Sequence, residues 1–200
     1  VVSKSSEAPH YLAPQVEQTV KIVVFGPFAV GKTTLVSAVS EIKPTSTEER
    51  LTQAGKTVDT LPKLLDKTTT TVALDFGRLT LDGGIALYLF GGPGQDRFHF
   101  MLDELLRGAL GAVILVDTAR TDDSWPYMDR VEEAGLPYVV AVNTFDNSPS
   151  HPEAELRQKL DLLPSTPLVQ CDVRRKDSAK EPLLALVRYL MSRLDPEPAS

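Results

Sequence analysis

The sequence predicts a three-layer α/β/α fold built on a mostly parallel six-stranded sheet with one antiparallel edge strand, and three observations predict it. Apolar runs rich in β-branched residues recur at Val20 to Phe25, Gly111 to Asp117 and Pro137 to Asn143, each followed by a loop and then a helical pattern. Such alternation calls for parallel strands with helices over both faces. Thr71 to Leu81 and Ile85 to Phe90 are instead joined by Asp82-Gly83-Gly84, a hairpin signal that makes this pair antiparallel. Finally, 200 residues with 42% apolar content suit one domain around one core. The expected organisation is a polar tail over residues 1–18, a domain over 19–194 and a second tail over 195–200.

The helices are read from apolar spacing. Leu35, Val36 and Val39 follow a glycine-rich loop; Phe98, Met101, Leu102 and Leu105 form a second pattern; Leu183, Val187, Leu190 and Leu194 form a third, near the C-terminus. Residues 42–70 contain Pro44, Gly55, Pro62 and many threonines without a period, and read as a long loop expected to rearrange with the bound ligand.

Composition narrows the function. A net charge of −6 and a pI near 5.1 argue against a protein that neutralises nucleic-acid phosphates or anionic lipid. The single cysteine, Cys171, excludes an internal disulfide and a cysteine metal cluster, and reads as a small buried hydrophobe. His10, His99 and His151 are scattered and suggest no metal site. No run approaches the ~20 apolar residues of a membrane helix. There is also no signal-peptide pattern and no terminal cysteine for prenylation. The expectation is a cytoplasmic protein with no direct membrane insertion, brought to a membrane only by a partner.

Gly26-Pro27-Phe28-Ala29-Val30-Gly31-Lys32-Thr33 fits G-x-x-x-x-G-K-[ST] and lies between an apolar strand and a helical pattern, where a phosphate-binding loop must lie. Glycines at both ends let the backbone curl so that its N–H groups converge on a phosphate, and the following helix adds its positive dipole end. Lys32 is expected to reach the β- and γ-phosphates, and the Thr33 hydroxyl to coordinate Mg²⁺. The nucleotide contacts expected here are Gly26, Pro27, Ala29, Val30, Gly31, Lys32, Thr33 and Thr34. The fold class is accordingly a P-loop NTPase, with neither base nor reaction fixed by this loop.

Other segments carry a resemblance. Thr71-Val72-Ala73-Leu74-Asp75-Phe76 resembles the T-[IV]-G-[VI]-D-F of Rab-type small GTPases, and Gly91-Gly92-Pro93-Gly94-Gln95-Asp96-Arg97-Phe98 resembles the D-x-x-G-Q-E-R-[YF] of the same superfamily. Asn143-Thr144-Phe145-Asp146 resembles the guanine motif N-K-x-D. By that resemblance Thr71 binds Mg²⁺ and the γ-phosphate, with Thr70 as competing neighbour. Gly94 senses the γ-phosphate and Gln95 orients the attacking water, so Gln95, Lys32 and Thr71 are the catalytic candidates. Asn143, Thr144 and Asp146 surround the base, where a carboxylate accepts from guanine N1–H and the 2-amino group. Asp172 and Val173 belong to the last base-contacting element. Two departures stand out: Gly91 replaces the aspartate that holds the Mg²⁺ hydration shell, and Thr144 replaces the lysine that packs on the base. They imply looser metal and weaker base binding.

Residues 67–77 and 89–98 together are similar to the actinobacterial conservon GTPases, themselves similar to MglA-type bacterial GTPases. That resemblance implies GTP/GDP and Mg²⁺ as ligands, and a Roadblock/LC7 protein and a sensor-kinase-like protein as partners. The expected function is a slowly hydrolysing GTP switch; the alternatives are a guanine-nucleotide-binding module with little hydrolysis, and a P-loop kinase or ATPase. The aromatic run Phe98-His99-Phe100-Met101 cannot all face one side of a helix, so part of it is expected on a partner surface.

Overall fold

The computed structural model describes residues 16–43, 45–51, 70–81, 83–146 and 148–194. Both expected tails, apart from residues 16–18, and most of the expected long loop lie outside the described residues.

The chain runs β1 (Gln18–Phe25), α1 (Lys32–Val39), β2 (Thr45–Leu51), β3 (Thr70–Leu81), β4 (Ile85–Gly91), a 3-10 segment (Asp96–Met101) and α2 (Leu102–Leu106). It continues through β5 (Gly111–Val116), a second 3-10 turn (Thr121–Ser124), α3 (Trp125–Glu133), β6 (Tyr138–Asn143), α4 (Glu153–Lys159), β7 (Leu168–Cys171) and α5 (Lys176–Leu194). The strand order is β2-β3-β4-β1-β5-β6-β7. Strands β4, β1, β5, β6 and β7 are parallel, and β3 joins β4 as the antiparallel partner that the Gly83-Gly84 turn demands. The expected six strands are all present. β2 adds a seventh, antiparallel to β3, within the stretch read as loop, because its Thr-Ser-Thr-Glu-Glu-Arg composition offers almost no apolar alternation.

Alternation along the strands builds the two helix layers. Ile22 and Val24 of β1 face α1 and α5, packing with Leu35, Val36, Leu183 and Leu186. Val23 and Phe25 face the other way, with Leu102, Met128, Val131 and Leu156 of α2, α3 and α4. The parallel strands β5 and β6 are buried along their whole length, as strands covered on both faces must be.

Two readings of the helices change. Residues 96–101 form a 3-10 segment rather than the start of an α-helix, with Phe98 buried and Phe100 62% exposed. On α5 Leu183 is buried and Val187 and Leu190 pack partly buried against the same core, as expected, joined by Ala179 and Leu186; Leu194 alone departs from that face, at 80% exposed. Cys171 is buried as expected, and burial pushes its thiol up to about 12, which keeps it protonated.

Candidate functional site

The carboxyl ends of β1, β4, β5 and β6 open onto one rim of the sheet, where ligands of open α/β folds bind. The phosphate loop leaves β1 there. Gly26 has φ 143°, and a side-chain carbon on it would sit 2.5 Å from the Leu115 carbonyl oxygen. Gly31 has φ 106°, and the same addition would come 2.8 Å from Asn143 Nδ2. Both positions therefore require glycine, for backbone angle and for space. Val30 between them is fully buried in the core, so only its backbone is available to a ligand. Pro27 contributes its carbonyl, and Ala29 takes a left-handed φ of 62°.

Lys32 opens α1 and lies only 8% exposed. Its ammonium donates to the carbonyls of Gly26 and Pro27, both at 2.7 Å, which commits two of three N–H donors and leaves one for an anion. Burial depresses its pKa to about 8, and the nearby Asp75 carboxylate opposes that shift. The cavity above the loop has a volume of about 360 Å³; Ala29, Gly31, Lys32, Thr33 and Thr34 line one side. Gly94 and Gln95 line the other, with Gly94 pressed so closely on Lys32 Nζ and the Phe28 backbone that a side chain there would collide. The loop and the G-Q segment are thus brought together.

A residue that sequence reasoning left without a role completes this cavity. Asp75 of β3 is 9% exposed, and its Oδ2 accepts a 2.6 Å hydrogen bond from the Thr33 hydroxyl. In the β3–β4 ladder Asp75 stands directly opposite Gly91. A side-chain carbon on Gly91 would lie 2.9 Å from Asp75 Cβ and 3.0 Å from its Oδ2. The Asp75 side chain thus occupies, from the neighbouring strand, the space that Gly91 leaves open. A hydroxyl joined to a buried carboxylate is a hard-oxygen pair of the kind Mg²⁺ takes, so these residues fit that ion. No cluster of three or more His, Cys, Asp or Glu side chains placed to hold a metal ion occurs among the described residues. Thr71 sits in β3 with its backbone paired to Arg50, and its side chain lies outside the described residues.

The base-binding candidates occupy the next stretch of rim. Asn143 ends β6 and is buried; its Nδ2 donates to the Val30 carbonyl at 3.0 Å, and its Oδ1 accepts from the Val173 N–H at 3.2 Å. It is a strap between loops. Thr144 donates its N–H to the Cys171 carbonyl at 2.7 Å, which fixes the start of the Asp146 loop against β7. Asp146 is 80% exposed and faces Arg174, whose Nη2 lies 3.2 Å from Oδ1. Arg174 also donates to both oxygens of Asp172, at 2.9 and 3.0 Å, holding that carboxyl below its ordinary range. Nothing in the sequence motifs singles out Arg174.

The family whose profile the chain matches, over residues 24–193, is described as a conserved hypothetical ATP binding protein. An uncharacterized protein of Methanocaldococcus jannaschii is 31% identical over 129 residues, which cover 64% of this chain and 71% of that one. Among solved structures, the G domain of the T. maritima FeoB iron transporter superposes with a TM-score of 0.61 at 20% identity, covering 86% of this chain and 98% of the other. The FeoB cytosolic domain in its apo form gives 0.60 at 18% identity, covering 86% of this chain and 64% of that one. These likenesses show the three-layer G-domain fold. No helix among the described residues is long and apolar enough to cross a membrane. With its phosphate loop inside the matched span, the chain is a P-loop protein that belongs to the family described as conserved hypothetical ATP binding proteins.

Proposed function

We propose that this protein binds guanine nucleotide with Mg²⁺ and hydrolyses GTP slowly, acting as a switch. The observation that carries this reading is the Asn143 strap, which sets the phosphate loop beside the two loops bearing Asp146 and Val173. Phosphate and base contacts then share one rim. Asp146 is exposed and presents two carboxylate oxygens, the acceptor pair that guanine's N1–H and 2-amino group require and adenine cannot match. Arg174, with its two N–H groups on that carboxylate, must yield them when the base arrives.

Thr33 and Asp75 would hold Mg²⁺, which when bound neutralises charge on the β- and γ-phosphates. Lys32 spends its remaining donor on those phosphates, and Gln95 orients the water from the opposite wall of the cavity. A binding module with little hydrolysis is the second reading, favoured by Thr144 in place of the base-packing lysine. Competition against a labelled guanine nucleotide tests the base: GDP and GTP should displace it at least ~100-fold better than ADP and ATP, below the ~10⁴ that a fully hydrogen-bonded polar site can reach because Thr144 stands in place of the base-packing lysine. Equal competition by ATP would move the reading to adenine. Asp146→Asn is expected to exchange guanine for xanthine preference, since an amide donates where the carboxylate accepted; unchanged preference removes Asp146 from the base site.

The resemblance to conservon GTPases supports a cytoplasmic switch working with a Roadblock/LC7 protein and a sensor-kinase-like protein. Phe100, exposed five residues after Gln95, is the proposed contact. Phe100→Ala should weaken Roadblock binding in a calorimetric titration by about 2 kcal/mol, as an exposed aromatic hot spot would, with GTP affinity intact. Undiminished partner affinity would remove Phe100 from that surface.

A further inference from the structure

Beside the phosphate cavity lies a second, of about 580 Å³, whose walls include Pro27, Gln95, Arg120 and Tyr127. Phe28, Gly94 and Gln95 line both cavities. The only cation lining either, apart from Lys32, is Arg120 among the described residues.

Arg120 has a fixed base and a loosely held head. It follows β5 in a turn closed by its own N–H on the Asp117 carbonyl at 2.9 Å. Its guanidinium, by contrast, makes three contacts near the limit of useful geometry: 3.4 Å from Nη2 to the Phe28 carbonyl, 3.5 Å from Nε to Asp117 and 3.5 Å from Nη1 to Asp123. The side chain is 45% exposed, so these pairs hold it weakly. Asp117 does not depend on them, because its Oδ1 already accepts from the Ala119 N–H at 2.9 Å and the Ser148 hydroxyl at 3.0 Å. A triphosphate on the adjoining loop would present several negative charges at close range, against the two long contacts to Asp117 and Asp123 and the further carboxylate of Asp122 on the cavity wall. The guanidinium touches the backbone of that loop already, and an open cavity leaves it room to turn.

We propose that Arg120 is a catalytic arginine acting in cis. With GTP bound, it leaves Asp117 and Asp123 and sets its guanidinium against the γ-phosphate beside Gln95. The reaction is hydrolysis: a water oxygen bonds to the γ-phosphorus, and the bond to the β–γ bridging oxygen breaks. Its electron pair stays on GDP; of the water's two protons, one remains on inorganic phosphate and the other passes to solvent. Arg120 forms no covalent bond; it neutralises charge as that bond opens. The inference rests on the GTP-hydrolysing reading and deepens it, since a switch with its own arginine turns over on the order of 10⁻² s⁻¹ rather than about 10⁻⁴ s⁻¹.

Single-turnover hydrolysis of GTP by the full chain, with Arg120→Ala and Arg120→Lys beside it, tests this. Both variants should slow hydrolysis by about 100-fold, with GTP and GDP affinity and melting temperature nearly unchanged. Lysine should fail because it keeps the charge, and so the ion pairs, but lacks the planar fork. The unaltered protein should also trap GDP with aluminium fluoride and no partner present, and Arg120→Ala should not. A wild-type rate in either variant overturns the arginine's role alone. If the unaltered protein releases no phosphate, both readings fall, because an arginine in cis needs no partner.

Discussion

Asp75→Asn is expected to weaken Mg²⁺-supported nucleotide binding by about 10- to 100-fold, the usual cost of losing a carboxylate that orients a metal's ligands. The loss should appear only with the metal present. Without Mg²⁺ the variant should bind nucleotide as well as the unaltered chain or better, because a negative charge beside the phosphates has gone. Comparing nucleotide dissociation with and without Mg²⁺ measures both, whether or not anything is hydrolysed. An equal effect of Mg²⁺ on both proteins would separate Asp75 from the metal. Gly91→Asp alone should destabilise the fold, since its side chain would enter space held by Asp75 Cβ at 2.9 Å and set two carboxylates together. Combined with Asp75→Gly it moves one carboxylate from β3 to β4, and should recover much of the metal dependence.

Lys32→Ala should cost triphosphate binding about 100-fold or more, by removing a charge-assisted contact from a buried site, where such contacts are strong. The fold should persist, though with some loss. The ammonium is buried rather than solvated, and its removal takes a 2.7 Å hydrogen bond from the Gly26 carbonyl and leaves the Pro27 carbonyl only the 3.4 Å bond from the Val30 N–H. The same burial predicts a pH dependence. Because the free lysine's pKa is depressed to about 8, it is charged below that pH and ready for phosphate. Above it, the lysine must take up a proton to bind, so affinity should fall about tenfold per pH unit, until the pH passes the raised pKa of the bound state. Equilibrium titrations from pH 6.5 to 9.5 give the profile, and a flat one would show that Lys32 does not face the nucleotide.

The fold was legible where one residue's neighbours in sequence are also its neighbours in space. Gly26 to Thr33 is a local turn, and Asp82-Gly83-Gly84 a local hairpin, so spacing alone revealed both. Strand β2 escaped because an edge strand is held by its backbone ladder and needs no apolar alternation. The site was harder to read. Gly91 looked like a lost carboxylate because the one that faces its position lies sixteen residues upstream, and only the β3–β4 register brings Asp75 opposite. The usable signal was an aspartate on one hairpin strand and a glycine at the matching position on the other. Arg120 and Arg174 left no such trace: each reaches its partners through a loop whose path the sequence does not encode by period.

Asn143 has a consequence for how binding strength is distributed. One buried amide holds the Val30 carbonyl with its donor and the Val173 N–H with its acceptor, so neither loop can shift without disturbing the other. Ordering of one loop by a phosphate lowers the entropy still to be lost when the other closes on a base. The two halves of a nucleotide should therefore reinforce each other, with a whole mononucleotide binding more tightly than the separate affinities of its base and its phosphates would together suggest.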